Sequence, residues 1–257
     1  MIEIILARKT LRKGANPISI DSWNINMIMK KILKILIATG IVPFLINIIS
    51  VPFLPNKIPI HYDISGRVDR IGSKFEMLIF PLLILIITLF WITTIKYYEN
   101  RMLKSNNKNE KNTENILLIG QLAIGINFIY NFINIYYLLL IINILPAKSL
   151  NVFSGASFAA VLIVSGLATK SAKRNSLFGI RTKWTLLDDY CWAKTNNLGA
   201  NLLIVSGIII ALFFIVSSFS KILIVMIVLT LVVFILVLYS YFVYKTSGIS
   251  KKNKPQR

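Results

Sequence analysis

Apolar runs long enough to cross a hydrocarbon layer, repeated six times, constrain this chain more than anything else in it. They cover residues 32–53, 77–95, 116–145, 152–168, 199–217 and 222–244, and each is bounded by polar, charged or Pro/Gly positions. About 20 apolar residues suffice for one helical crossing. The run at 116–145 exceeds that need and has no charged or proline-containing turn in its middle, so it reads as one helix that tilts or projects beyond the bilayer. With 56% hydrophobic and 15% charged residues and a mean hydropathy of +0.70, the chain departs from soluble composition in the same direction. The expected fold is an all-α integral membrane protein of about six transmembrane helices.

The net charge of +19 would point to nucleic acid in a soluble protein. Here the basic residues cluster at the ends of the apolar runs, as cytoplasmic flanks do, and no direct nucleic-acid binding is expected. If the N-terminus is inside, only Lys57, Arg67, Arg70, Lys74, Lys148 and Lys221 fall outside, and the other 23 of the 29 Lys and Arg are cytoplasmic. Residues 54–76 then form an external loop and residues 169–198 a cytoplasmic one, with both termini inside. The domain reading follows. Residues 1–26 are a disordered or non-native leader, and 27–98 hold the first two helices and the external loop. A cytoplasmic linker spans 99–115, a four-helix region spans 116–246, and a basic tail spans 247–257. A single cysteine, Cys191, excludes an intramolecular disulfide and any multi-cysteine metal site.

The external loop carries Pro55 and Pro59, which favour extended chain, and a turn signal at Ser65-Gly66. In a short strand Ile58, Ile60, Tyr62 and Ile64 share one face, with His61 and Asp63 on the other. A small hairpin is expected. His61, Asp63 and Asp69 could in principle ligate a metal, but hydrogen bonds or ion pairs with Arg67 and Arg70 are the stronger expectation; no metal or cofactor is assigned. In the third run Gly120, Ala123, Asn127, Asn131 and Asn134 fall on one helix face and Gly125 does not, the pattern of a packing seam with interhelical hydrogen bonds. Gly155, Ala159 and Gly166 offer a facing surface in the fourth.

In the cytoplasmic loop, Thr185 followed by Asp188 has the form of a capping box, so a short interfacial helix is expected over about 186–197, anchored at headgroup level by Trp184 and Trp192. Gly179 permits a tight turn between Phe178 and Ile180, aiming Arg181 away from that apolar pair. The planar fork of Arg181 suits a carbonyl cluster, a lipid phosphate or an acidic partner.

Residues 175–186, Asn-Ser-Leu-Phe-Gly-Ile-Arg-Thr-Lys-Trp-Thr-Leu, with Trp192 and Thr195 beyond them, resemble the signature of SdpI-type membrane proteins. Residues 55–66, Pro-Asn-Lys-Ile-Pro-Ile-His-Tyr-Asp-Ile-Ser-Gly, are similar to the extracytoplasmic loop of that family's N-terminal half. Asn196 departs from the family pattern, which often has histidine there. The resemblance implies a protein of the bacterial cell membrane that protects its producer from a secreted, membrane-active peptide toxin. In the founding case it also implies signalling through a cytoplasmic transcriptional repressor. It implies that Asn175, Phe178, Gly179, Arg181, Thr182, Trp184 and Trp192 serve a partner-facing loop, while Pro59, His61, Asp63, Gly66 and Asp69 belong to a toxin-facing or structural one. An exporter of a small amphipathic compound is the alternative, although no run carries an ionisable residue apart from Lys34 near the first boundary. An enzyme is not expected, since no nucleophile and base can be assembled from one histidine and one cysteine.

The charge bias predicts that a cysteine placed at Ser65 reacts with a membrane-impermeant thiol reagent in intact cells. Reaction only after permeabilisation would reverse the topology.

Overall fold

A computed structural model describes residues 20–63, 67–104, 110–175, 177–216 and 221–247. Most of the expected leader, part of the linker and the end of the basic tail lie outside these residues. Among the described residues six helices are long and apolar enough to cross a membrane: α1 (Ile20–Ser50), α2 (Ile79–Lys104), α3 (Glu110–Ile141), α4 (Leu150–Ser171), α5 (Asp189–Val216) and α6 (Lys221–Thr246). The chain is a multi-pass membrane protein. Its small sheet is an antiparallel hairpin of β1 (Lys57–Tyr62) and β2 (Val68–Ser73) between α1 and α2. α1 begins within the segment expected to be leader.

Helices α1, α2 and α3 pack on one another, α4 packs on α5 and α5 on α6, and α3 with α4 joins the two halves. The hairpin and the 172–188 loop lie at opposite ends. Ile58 of β1 sits in a cluster with Val51, Leu54, Met77 and Ile141, while Leu177 and Phe178 of the loop pack on a cluster of Met29, Ile32, Leu36, Ile95 and Ile116.

The first half is organised by a break in α1. Pro43 has no N–H, so the carbonyl of Thr39, four residues earlier, loses its helical donor. No water is at hand inside an apolar bundle, and another group must supply the bond. Asn131 of α3 does so, its Nδ2 donating to the Thr39 carbonyl at 2.9 Å. One turn earlier Asn127, fully buried, donates to Thr88 Oγ1 of α2 at 2.8 Å and lies 3.2 Å from Thr39 Oγ1. The expected face of α3 therefore meets α1 and α2. Gly120 lies against Ile32, Ala123 is fully buried, and Asn134 is buried with no hydrogen bond among the described residues. Gly125, off that face, lies against Val164 of α4.

The second half uses small residues instead. A Cβ on Gly166 would come 2.8 Å from the Ala200 carbonyl, and one on Gly207 2.9 Å from the Ala159 carbonyl, so α4 and α5 touch backbone to backbone. Gly155 faces Phe214 in the same seam.

Two expectations are corrected. The third span ends at Ile141 and not near 145, because Asn143 takes φ 59°, a left-handed cap that asparagine tolerates, and Pro146 follows. The short interfacial helix is not a separate element. It is the first three turns of α5, which runs unbroken from Asp189 to Val216. At Gly199 the Ile180 side chain lies against the helix; a Cβ there would collide with it.

Replacing Asn131 with Leu should destabilise the protein by about 0.6 kcal/mol and by no more than about 1.7 kcal/mol, the range for interhelical bonds in membranes. Adding Pro43→Ala to that variant returns an N–H to the Thr39 carbonyl and should recover part of the loss. Strictly additive effects of the two changes on unfolding in detergent would show that Asn131 does not serve the proline break.

Candidate functional site

Two structured surfaces stand at the two ends of the bundle. In the hairpin, the Pro59 carbonyl accepts the Tyr137 hydroxyl of α3 at 2.5 Å, which fastens β1 to the helices. His61 Nδ1 and Asp69 Oδ1 are 2.6 Å apart, and Asp63 turns away from them to accept both the backbone N–H and Nε–H of Arg67 at 2.9 Å. Gly66 lies outside the described residues. Among the described residues no three His, Cys, Asp or Glu side chains gather to hold a metal. Partial burial, reinforced by Tyr136, holds the Tyr62 phenol above its ordinary value.

The hairpin's exit depends on residues that the expected site omitted. Glu76 Oε1 accepts the Ser73 N–H at 2.9 Å, closing a capping box, and Glu76 Oε2 accepts from Arg70 at 2.8 Å. The signal was local: Ser73-Lys74-Phe75-Glu76 directly before an apolar run is a helix-start pattern. Exposed ion pairs of this kind are worth about 0–1 kcal/mol each, so they orient side chains more than they stabilise the fold.

At the other end the loop is built on side-chain amides. Asn115 of α3 grips the backbone of residue 173 from both sides, accepting the Lys173 N–H at 3.0 Å and donating to the Lys173 carbonyl at 3.3 Å. Asn175 accepts the N–H groups of Leu177 (2.6 Å) and Phe178 (2.8 Å) in an Asx turn. That turn delivers Phe178 to the core between α1 and α3. Gly179 follows at φ +112°, with Asn196 and Trp192 filling the space a side chain would need. Asn196 Oδ1, buried on α5, then accepts the Ile180 N–H at 2.7 Å. The loop is thus clasped to α3 on one side and α5 on the other.

Thr185 is not the helix cap. Its hydroxyl accepts the Thr182 N–H at 2.8 Å and donates to the Ile180 carbonyl at 2.9 Å, so it closes the turn. The cap is Asp188, whose Oδ2 accepts the N–H groups of Tyr190 (2.7 Å) and Cys191 (3.0 Å). Asp189 in the first turn pairs with Arg174 at 2.7 Å, and Arg174 also donates to the Leu186 carbonyl at 2.9 Å. Trp192 does not reach a headgroup layer. It is 3% exposed and its Nε1–H donates to the Ala172 carbonyl at 2.9 Å, capping the end of α4. Trp184 packs against Tyr241 of α6, ring centroids 5.1 Å apart.

Of the expected partner-facing residues, Asn175, Gly179, Thr182 and Trp192 are thus engaged within the loop. Arg181 is exposed and makes no hydrogen bond or ion pair among the described residues, and neither does Lys183. The arrangement offers shape and positive charge.

Comparison with known proteins falls on these same two surfaces. Residues 171–241, from the loop through α5 and most of α6, match the SdpI/YfhL protein family. Residues 38–85, from the break in α1 through the hairpin into α2, match a domain of unknown function, DUF1648. The chain is 29% identical over 220 residues to Immunity protein SdpI of Bacillus subtilis (strain 168), across 83% of this chain and 96% of that protein. No solved structure matches. With the clasped loop inside the family match and one relative aligned through both halves, the chain is similar to SdpI/YfhL-type proteins along most of its length.

Proposed function

We propose that this chain is a membrane immunity protein that protects its producer from a secreted, membrane-active peptide toxin. The observation that carries this reading is similarity to Immunity protein SdpI along nearly the full length of both chains. The absence of ionisable residues from the apolar runs, Lys34 apart, favours it over an ion-coupled exporter. In this reading both termini and the 172–188 loop are cytoplasmic, in accord with the basic flanks, and the hairpin faces the toxin. No catalytic step is assigned.

The reading extends to signalling. Arg181 and Lys183 leave the cytoplasmic loop with two uncommitted cations on a rigid turn, a surface suited to an acidic patch on a cytoplasmic repressor.

Deleting the gene should make the producing strain sensitive to its own culture supernatant, and a plasmid copy should restore survival. A deletion strain as resistant as its parent would overturn the immunity reading. Arg181→Lys keeps the charge and loses the fork. It should still accumulate in the membrane and protect, yet recruit the repressor less well. Recruitment equal to that of the parent would remove Arg181 from the signalling surface.

A further inference from the structure

We infer that the free edge of β2 receives the toxin by strand addition, an extended apolar peptide segment pairing backbone to backbone with residues Val68–Ile71. The inference rests on the immunity reading and names how the hairpin would engage its partner. The hairpin's register supplies the geometry. The Lys74 N–H donates to the Asn56 carbonyl at 3.2 Å, and the pairs that follow are Lys57 with Ser73, Ile58 with Gly72 and Pro59 with Ile71. Antiparallel pairs alternate between those that exchange hydrogen bonds and those that do not. Ile58 and Gly72 therefore exchange bonds, while Pro59 and Ile71 turn their backbone groups away from each other. Two observations on β1 agree. Position 59 holds a proline, which has no N–H to offer the ladder, and its carbonyl points outward to the Tyr137 hydroxyl.

The consequence for β2 is that the N–H and C=O of Ile71 face outward from the sheet. The edge of β1 is closed by Pro59 and α3. That of β2 has neither a proline nor, among the described residues, a covering element, and Val68, Asp69, Arg70 and Ile71 are all exposed. Natural proteins usually blunt such an edge with charge. Here the charges of the strand and its turn are engaged inside the hairpin: Arg67 with Asp63, Asp69 with His61, and Arg70 with Glu76. What remains outward is unpaired backbone beside Val68, Ile71 (64% exposed) and, in the turn that follows, Phe75 (62% exposed). Internally engaged charges with exposed apolar side chains suit an uncharged apolar segment, and backbone pairing with alternate side chains gripped is how sheet edges take up extended peptides.

The test uses the full chain in lipid nanodiscs and, as probe, the peptide fraction of culture medium that kills the deletion strain. Adding it should slow amide exchange at residues 68–71 by about tenfold or more, and exchange in β1 far less. In cells, Ile71→Pro removes the outward donor without touching the hairpin's own ladder, and should abolish protection while the protein still accumulates. Ile71→Thr keeps the donor and should retain most of it. Unchanged exchange at 68–71 under a wild type that protects overturns strand addition and leaves immunity standing, as does full protection by Ile71→Pro. Slowing that appears without the probe and rises with protein concentration overturns it in favour of a second copy of the chain. A wild type that protects no cell overturns the immunity reading itself, and this inference with it.

Discussion

Inside a hydrocarbon layer a backbone carbonyl without a donor has no water to turn to, and this structure is arranged around the places where helical bonding fails. The chain closes those places with asparagine. Asn131 serves the carbonyl that Pro43 exposes in α1. Asn115 takes both backbone groups of Lys173 just after α4 ends. Asn196 takes the Ile180 N–H where Gly179 has turned the chain. An amide side chain carries one donor group and one acceptor, as a peptide unit does, so it can replace a missing backbone partner in either sense. Each of these asparagines stands on a different element from the group it serves. Closing a local gap therefore also fixes a tertiary contact.

The two halves obtain their cohesion differently. Lipid tails are as apolar as leucine, so helices in a membrane associate through close packing and polar bonds more than through the hydrophobic effect. The α1–α2–α3 half uses hydroxyls and amides, with Asn127 joining Thr39 and Thr88 across three helices. The α4–α5 contact uses glycines placed against facing carbonyls. The 172–188 loop reconciles them, since Leu177 and Phe178 enter the core of the first half while Ile180, Thr185 and Trp184 belong to the second. A loop so committed is a structural joint as well as a surface.

Much of this was legible in the sequence and the remainder was not, for physical reasons. Six crossings and a structured hairpin follow from apolar runs and turn residues, because length and composition alone decide them. The polar face of α3 was legible too, as a spacing of three and four residues. What that face meets was not, since no pattern in residues 116–145 reveals a proline break on α1. The cap at Asp188 was misread as Thr185 because both residues sit in the right neighbourhood, and only the turn geometry assigns one hydroxyl to Ile180 and one carboxylate to the helix. Trp192 reads as a headgroup anchor by residue type alone. Its indole N–H is instead a donor to the end of α4, a role set by how closely α4 and α5 approach.

The distribution of uncommitted groups follows from the same constraint. In the membrane interior an unpaired polar group is costly, and among the described residues the ionisable side chains gather at the two ends of the bundle. At the ends water lowers that cost, so surplus bonding capacity can be kept there. The loop end keeps it as charge, on Arg181 and Lys183, while Arg174 and Lys173 are drawn into the fold by Asp189 and Glu114. The hairpin end keeps it as backbone, because the charges of its strand and turn are paired and the β2 edge is open. Charge recognises a charged, folded surface, and backbone recognises an extended chain of almost any sequence. In the proposed reading, charge at one end suits a folded acidic surface and open backbone at the other suits an extended peptide, so the two ends differ in the kind of partner each would take.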